Sequence, residues 1–211
     1  MTFSITLEDG EFLVKLARRA VEEYLKNEKK IKAPGNTPAK LMVHCGVFVT
    51  VYSIKMKKKL RGCIGFPYPN LPLANAVIES AINSSSQDPR FHPISSGELD
   101  HIVFEVSVLT PPQLIELEEP TDYPLKVIVG QDGLIIERDY NRGLLLPQVP
   151  VEWGWNEEEF LCQCCIKAGL SPDSWLLKET KVYKFSCIIA QELTPKGKVV
   201  IKDMRIKKDV N

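Results

Sequence analysis

An α+β fold, mainly antiparallel sheet with packed helices and divided into two unequal sub-domains with a cleft between them, is what this sequence predicts. Three observations predict it. Helical and strand periodicities are both present but do not alternate as regular βαβ units, which disfavours a doubly wound parallel sheet. The turn signals are short and hairpin-like. A length of 211 residues at ~150 per domain gives room for one large domain or two sub-domains sharing a core. The chain is read as a single domain over 1–195, followed by a basic C-terminal tail over 196–211.

The elements follow in order. Thr6 and Asp9 stand at capping-box spacing ahead of a helical stripe of Phe12, Leu13, Leu16, Ala17, Ala20, Val21, Tyr24 and Leu25. Asn27 to Lys40 holds Pro34, Gly35 and Pro38 among polar residues and reads as a loop. Alternation from Leu41 to Tyr52 predicts a strand, and Leu60 to Phe66 a second one, joined as an antiparallel hairpin through the lysine-rich turn at Lys55 to Lys59. Behind Pro72, the small-residue stripe Leu73, Ala76, Val77, Ser80, Ala81 and Ser84 predicts a helix able to approach a sheet closely. Ile102 to Val108 alternates as a strand stopped by Pro111 and Pro112. Val127 to Arg138 reads as a hairpin with Asp132-Gly133 at its turn, and Asn141 to Gly143 as another turn. Asn156 caps a helix carrying Phe160, Leu161, Cys164, Cys165 and Ala168 that ends at Gly169, and Lys181 to Leu193 is expected as one long last strand.

Composition narrows the function classes. Hydrophobic residues at 44% and charged residues at 26% are those of a chain that buries a real core. Twenty-seven Lys and Arg balance 27 Asp and Glu, which removes the whole-molecule basic field of a general polyanion binder. The longest apolar run is four residues, Cys187 to Ala190, against roughly 20 for a membrane span. With no secretory pattern at the N-terminus, a cytoplasmic location and reduced thiols are expected for the six cysteines.

The densest chemistry lies between Lys55 and Gly65. Lys55, Lys57, Lys58, Lys59 and Arg61 precede Gly62-Cys63-Ile64-Gly65. A thiol beside cations can ionise more readily, so Cys63 is a candidate nucleophile with a depressed pKa. The alternative is a small buried hydrophobe with glycines that admit a helix. A nucleophilic thiol needs a base, for which His44 and His92 are the candidates. Arg61, Gly62, Gly65, Arg90 and Glu152 are the candidate ligand-binding residues.

Other features read blandly. Cys162 and Cys165 form a C-x-x-C inside a helix with no second ligand pair, and core packing is the expected role there and at Cys164, Cys45 and Cys187. Three scattered histidines give no metal-ligand spacing, so no metal site is expected. Lys196 to Lys208 carries six bases, Lys196, Lys198, Lys202, Arg205, Lys207 and Lys208, against the single acid Asp203. Glu98 to Asp122 holds seven acids and no Lys or Arg. Such runs are usually solvated faces. If the basic segments converge near Phe66 and Tyr68, a weak nucleotide or RNA patch is the alternative.

Leu60-Arg61-Gly62-Cys63-Ile64-Gly65 resembles the signature hexapeptide of the AMMECR family, named for a human chromosomal region linked to Alport syndrome, midface hypoplasia and elliptocytosis. The resemblance continues through Asp88 to Pro93, Glu98-Leu99, Val106 to Thr110, Gly130 to Leu134, Leu145 to Val149 and Lys167 to Leu170. It implies the two-part α+β fold with the hexapeptide near a cleft. It supplies no catalytic residues and no cofactor, because the family has no established activity. Memo-type and radical-SAM proteins are the partners it implies. Two readings remain: binding of a small anionic ligand or protein partner near the hexapeptide, or a thiol-dependent enzyme acting through Cys63 on a nucleotide or RNA substrate.

Overall fold

The computed structural model describes residues 4–55 and 58–203. Helix α1, Leu7–Asn27, opens with the expected capping box, Thr6 and Asp9 each accepting from the other's backbone N–H. Its stripe of Leu13, Val14, Ala17, Ala20 and Val21 is fully buried. Strand β1, Val47–Ser53, pairs antiparallel with β2, Lys59–Phe66, so the expected hairpin forms. The strand expected from Leu41 begins later. Ala39–Met42 is a turn of 3₁₀ helix, and Gly46 sits so close to the Pro67 carbonyl that a Cβ would lie 2.5 Å from it. Helix α2, Leu73–Ser86, follows, then β3, Ile102–Leu109, the two-residue β4, Gln113–Leu114, and the short helix α3, Tyr123–Lys126.

The next region departs most from the sequence reading. The hairpin is β5, Gly133–Arg138, with β6, Asn141–Leu145, so its turn is Asp139-Tyr140. Gly133 is a strand residue under the Phe185 ring, where a Cβ would meet ring carbon at 2.3 Å. Asn141 to Gly143 is strand too, and Gly143 leaves room for the backbone of Cys164 and Ala168. Helix α4, Gln148–Trp153, had no periodic signal in its six residues. Helix α5, Glu157–Lys167, has the predicted Asn156 cap, completed as a capping box by Glu159, and Gly169 takes a left-handed φ of 76° just past its end.

The expected long last strand is two strands. β7, Lys181–Phe185, and β8, Cys187–Glu192, join different sheets, with the break at Ser186, whose N–H donates to Thr110 Oγ1 and whose carbonyl accepts from the Thr110 N–H. The expected basic tail also begins as structure: β9, Val199–Asp203, is the outer strand of the first sheet. Arg205, Lys207 and Lys208 lie outside the described residues.

The strands form a five-stranded sheet in the order β2-β1-β3-β8-β9 and a four-stranded sheet in the order β4-β7-β5-β6. The described residues up to Leu109, with Ile188–Lys202, make one compact unit, and Thr110–Cys187 make another. In the first, α1 and α2 cover one face of the larger sheet, burying Val47, Val49, Val51, Phe104, Val106 and Ile188. In the second, Phe160, Leu161, Cys164 and Cys165 of α5 pack on Leu134, Ile136 and Val182. The thiols behave as small hydrophobes: burial pushes Cys165 up to about 11 and Cys164 up to about 12. Among the described residues no helix is long and apolar enough to cross a membrane.

One buried ion pair knits the first unit. Arg18 of α1 donates from Nε and Nη2 to Glu192 of β8 at 2.8 and 2.6 Å, and from Nη1 and Nη2 to the carbonyls of Leu99 and Ile102 at 3.1 and 2.7 Å. Its guanidinium lies 4.9 Å from the centroid of the Phe104 ring.

A polar clamp around the hexapeptide and the candidate functional site

The hexapeptide occupies most of β2, and each of its unusual residues has a geometric role. Register passes from Val51↔Gly62 to Tyr52↔Leu60, which leaves Arg61 as the extra residue of a bulge that re-aims its side chain. Its Nε and Nη2 donate to Glu98 at 2.9 and 3.2 Å, while Nη1 and Nη2 donate to the carbonyls of His92 and Pro93 at 2.6 and 3.2 Å. Glu98 also accepts from the Ser95 N–H, completing a capping box, and the neighbouring Arg61 holds its carboxyl below the usual value. Gly62 faces α2, where the Ser84 carbonyl occupies the place a Cβ would need, 1.9 Å away. Gly65 is equally constrained, with the Val47 carbonyl at 2.2 Å from that position.

Cys63 lies opposite Thr50 with its backbone turned away from β1. Its N–H donates to Asp88 Oδ2 at 2.8 Å and its carbonyl accepts from Arg90 Nη2 at 3.2 Å. The Cys63–Thr50 pair is therefore of the close, non-hydrogen-bonded kind, and the Thr50 hydroxyl donates to Sγ at 3.3 Å. Asp88 is almost fully buried and also accepts from the Arg90 N–H, Nε and Nη2, at 3.1, 2.9 and 2.7 Å. The Arg90 guanidinium beside it holds its carboxyl far below the usual range. Asp88 and Arg90 thus clamp the hexapeptide backbone, and Arg61 with Glu98 clamps the loop after it.

This geometry reverses one expectation. Burial pushes the Cys63 thiol up, and the Thr50 hydroxyl and the Arg90 charge only partly offset it, so a depressed pKa is not found. Neither imidazole serves the thiol. His44 lies three residues before β1, in an isolated bridge with Pro72, and its Nδ1 lies 3.1 Å from the Pro69 carbonyl. His92 is exposed and contributes its backbone carbonyl, not its ring, to Arg61. Glu152 is an exposed residue of α4 in the other unit. The cations near the hexapeptide are also more committed than their number suggests. Lys58 rests over the Tyr52 ring at 4.7 Å, and Lys57 lies outside the described residues; Lys196, between β8 and β9 at the other edge of the sheet, pairs with Asp100 at 2.9 Å.

Glu105 of β3 is the site residue that sequence reasoning missed. It sits opposite Thr50 on the far side from Cys63, accepts from the Tyr52 hydroxyl at 3.4 Å, and is pushed by burial above the usual carboxylate range. One strand, β1, separates it from Cys63, two inter-strand spacings or about 10 Å at ~4.8 Å each, too far for direct proton transfer between the two backbones' positions. Among the described residues no group of three or more His, Cys, Asp and Glu could hold a metal ion.

The expected reaction of Cys63 follows from burial and the raised pKa. At neutral pH native protein should be alkylated there more slowly than a free thiol, and should reach the free-thiol rate only on unfolding. Iodoacetamide labelling followed by peptide mass mapping measures this, and fast native labelling would contradict the packing described. The sign of the linkage is the same: this thiol favours the folded state below the ordinary cysteine pKa, and that contribution is lost as pH rises through the folded value.

Outside the clamp, Arg61, Pro89, Arg90, Phe91 and His92 line an open depression of about 460 Å³. Arg90 keeps 54% of its side chain exposed there, and among the described residues nothing hydrogen-bonds to its Nη1.

Comparison with known proteins fits the fold and leaves the activity open. The AMMECR1 family model matches residues 14–190. Protein PH0010 of Pyrococcus horikoshii is 55% identical over 206 residues, covering 97% of this chain and all of its own. A protein of Methanothermobacter thermautotrophicus is 51% identical over 188 residues, covering 89% of this chain and 96% of its own. The crystal structure of PH0010, described as an uncharacterized protein, superimposes with a TM-score of 0.82, covering 95% of this chain and 100% of that one. With most of its length matched by the family model and by relatives of this similarity, the chain belongs to the AMMECR1 family.

Proposed function

We propose that this protein is a binding module whose depression over Arg90 takes the anionic end of a small ligand. The observation that carries the reading is the state of Arg90. Asp88 and the Cys63 carbonyl hold its Nε and Nη2, so the side chain is fixed before any ligand arrives, while Nη1 carries no hydrogen bond. A guanidinium fixed in this way loses little freedom on binding, which favours a carboxylate or phosphate. A volume of about 460 Å³ lies within the ~300–1,000 Å³ of small-molecule sites. Arg61 gives shape more than charge, since Glu98 occupies it. Asp88 offsets much of the Arg90 charge, so binding should be weak and should weaken further with salt. Thiol catalysis at Cys63 is the poorer reading, because burial pushes the thiol up and, among the described residues, neither His44 nor His92 presents its ring to it.

Titration with inorganic phosphate and with adenosine monophosphate, followed by amide shifts, tests this. Saturable shifts at Arg61 and residues 90–92 are expected, lost in Arg90→Gln and reduced in His92→Ala, which leaves the clamp intact. Absence of saturable shifts, or shifts unchanged by both substitutions, would remove the reading.

A further inference from the structure

We propose that the stacked Trp153–Trp155 pair on the second unit is a docking site for a lysine or arginine side chain from a basic segment of a partner protein. The local fold builds it. Helix α4 ends at Gly154, which takes a left-handed φ of 69°, and the Trp155 N–H closes the turn on the Pro150 carbonyl at 2.8 Å. This reversal lays the two indoles against each other, centroids 6.0 Å apart and planes 15° from parallel. Trp153 remains 71% exposed and Val151 59%. Tryptophans presented to solvent in this manner are costly to leave bare and are typical anchors of protein interfaces.

Charge and size choose the occupant. Among the described residues no ion pair or hydrogen bond engages the carboxylates of Glu152, Glu157 or Glu158, which bracket the two tryptophans in sequence. Glu159 adds a fourth negative charge while capping the Asn156 N–H. Glu158 and Glu159, which line the cavity beside the stack, outweigh the ~+0.5 charge at the start of α5 and disfavour anions there. Beside the stack, Trp155, Asn156, Glu158, Glu159, Cys162 and Gln163 line a cavity of about 210 Å³. That is below the ~300–1,000 Å³ of small-molecule sites and suits one long side chain. An aromatic wall with carboxylates at its rim binds a cation through the ring face and the charge together. The surface shares no residue with the Arg90 depression, so either can fail without the other.

The test is titration with capped tri-arginine, tri-lysine and tri-glutamate peptides and with butylguanidinium, following the indole N–H signals of Trp153 and Trp155. The cationic peptides should give saturable shifts and tri-glutamate none. Trp153→Ala and Glu158→Gln, both exposed and expected to fold, should each weaken peptide binding by about tenfold. The proposal falls if no cationic peptide saturates, if tri-glutamate acts equally, or if neither substitution matters. Butylguanidinium binding as tightly as the peptides would assign the surface to small free cations and overturn a protein partner.

Discussion

Arg18→Met should destabilise the protein by about 3–5 kcal/mol, measured as the shift of the guanidinium unfolding midpoint at unchanged slope. The side chains of Arg18 and Glu192 are only 6% and 3% exposed, so the substitution leaves a carboxylate in the core without its counter-charge. It also strands the carbonyls of Leu99 and Ile102, which Arg18 serves. The double variant Arg18→Met with Glu192→Leu should recover only part of the loss. Glu192 accepts from the Phe104 N–H at 3.1 Å, and that donor would join the two carbonyls as an unsatisfied buried group. A loss below about 1 kcal/mol for Arg18→Met would place the pair with ordinary surface ion pairs and contradict its role as the tie between α1, β3 and β8.

Gly62→Ala should cost about 3 kcal/mol, at the upper end for overpacking, although it adds one methyl group. The obstacle is the backbone carbonyl of Ser84, not a side chain that could rotate away, so α2 must move off β2 and drag its buried stripe with it. Gly35→Ala is the control. Nothing lies within 4 Å of the added atom, so its melting temperature should be unchanged or slightly higher. Equal effects at the two glycines would mean that the β2–α2 approach is looser than described.

The parts of the fold legible in the sequence were those fixed by local rules. The Thr6–Asp9 and Asn156–Glu159 caps, the stripe of α1, the β1–β2 pairing and the glycine end of α5 all depend on residues a few positions apart. What was not legible depended on distant partners. Gly133 reads as a turn glycine until the Phe185 ring is placed over it. Lys181 to Leu193 alternates continuously, and only the Thr110 contacts at Ser186 divide it between two sheets. At the site, the run of cations beside Cys63 suggested an ionisable thiol, yet Arg61 faces Glu98, 37 residues away, and the Cys63 N–H faces Asp88, 25 residues away. The buried pair of Arg18 and Glu192, separated by 174 residues, gave no local signal at all.

The Asp88–Arg90 clamp has a consequence for the protein in a crowded solution. β2 is the outermost strand of its sheet, and an outermost strand offers its unpaired amides and carbonyls as a template on which another chain can add. At Cys63 both of those groups are already taken, the amide by a carboxylate and the carbonyl by a guanidinium. An incoming strand would have to displace a charged, buried aspartate to pair there. The hexapeptide, glycine-rich and apolar enough to invite such addition, is therefore guarded by the same two residues that hold it in shape, and loosening them should favour self-association of folded molecules before it favours unfolding.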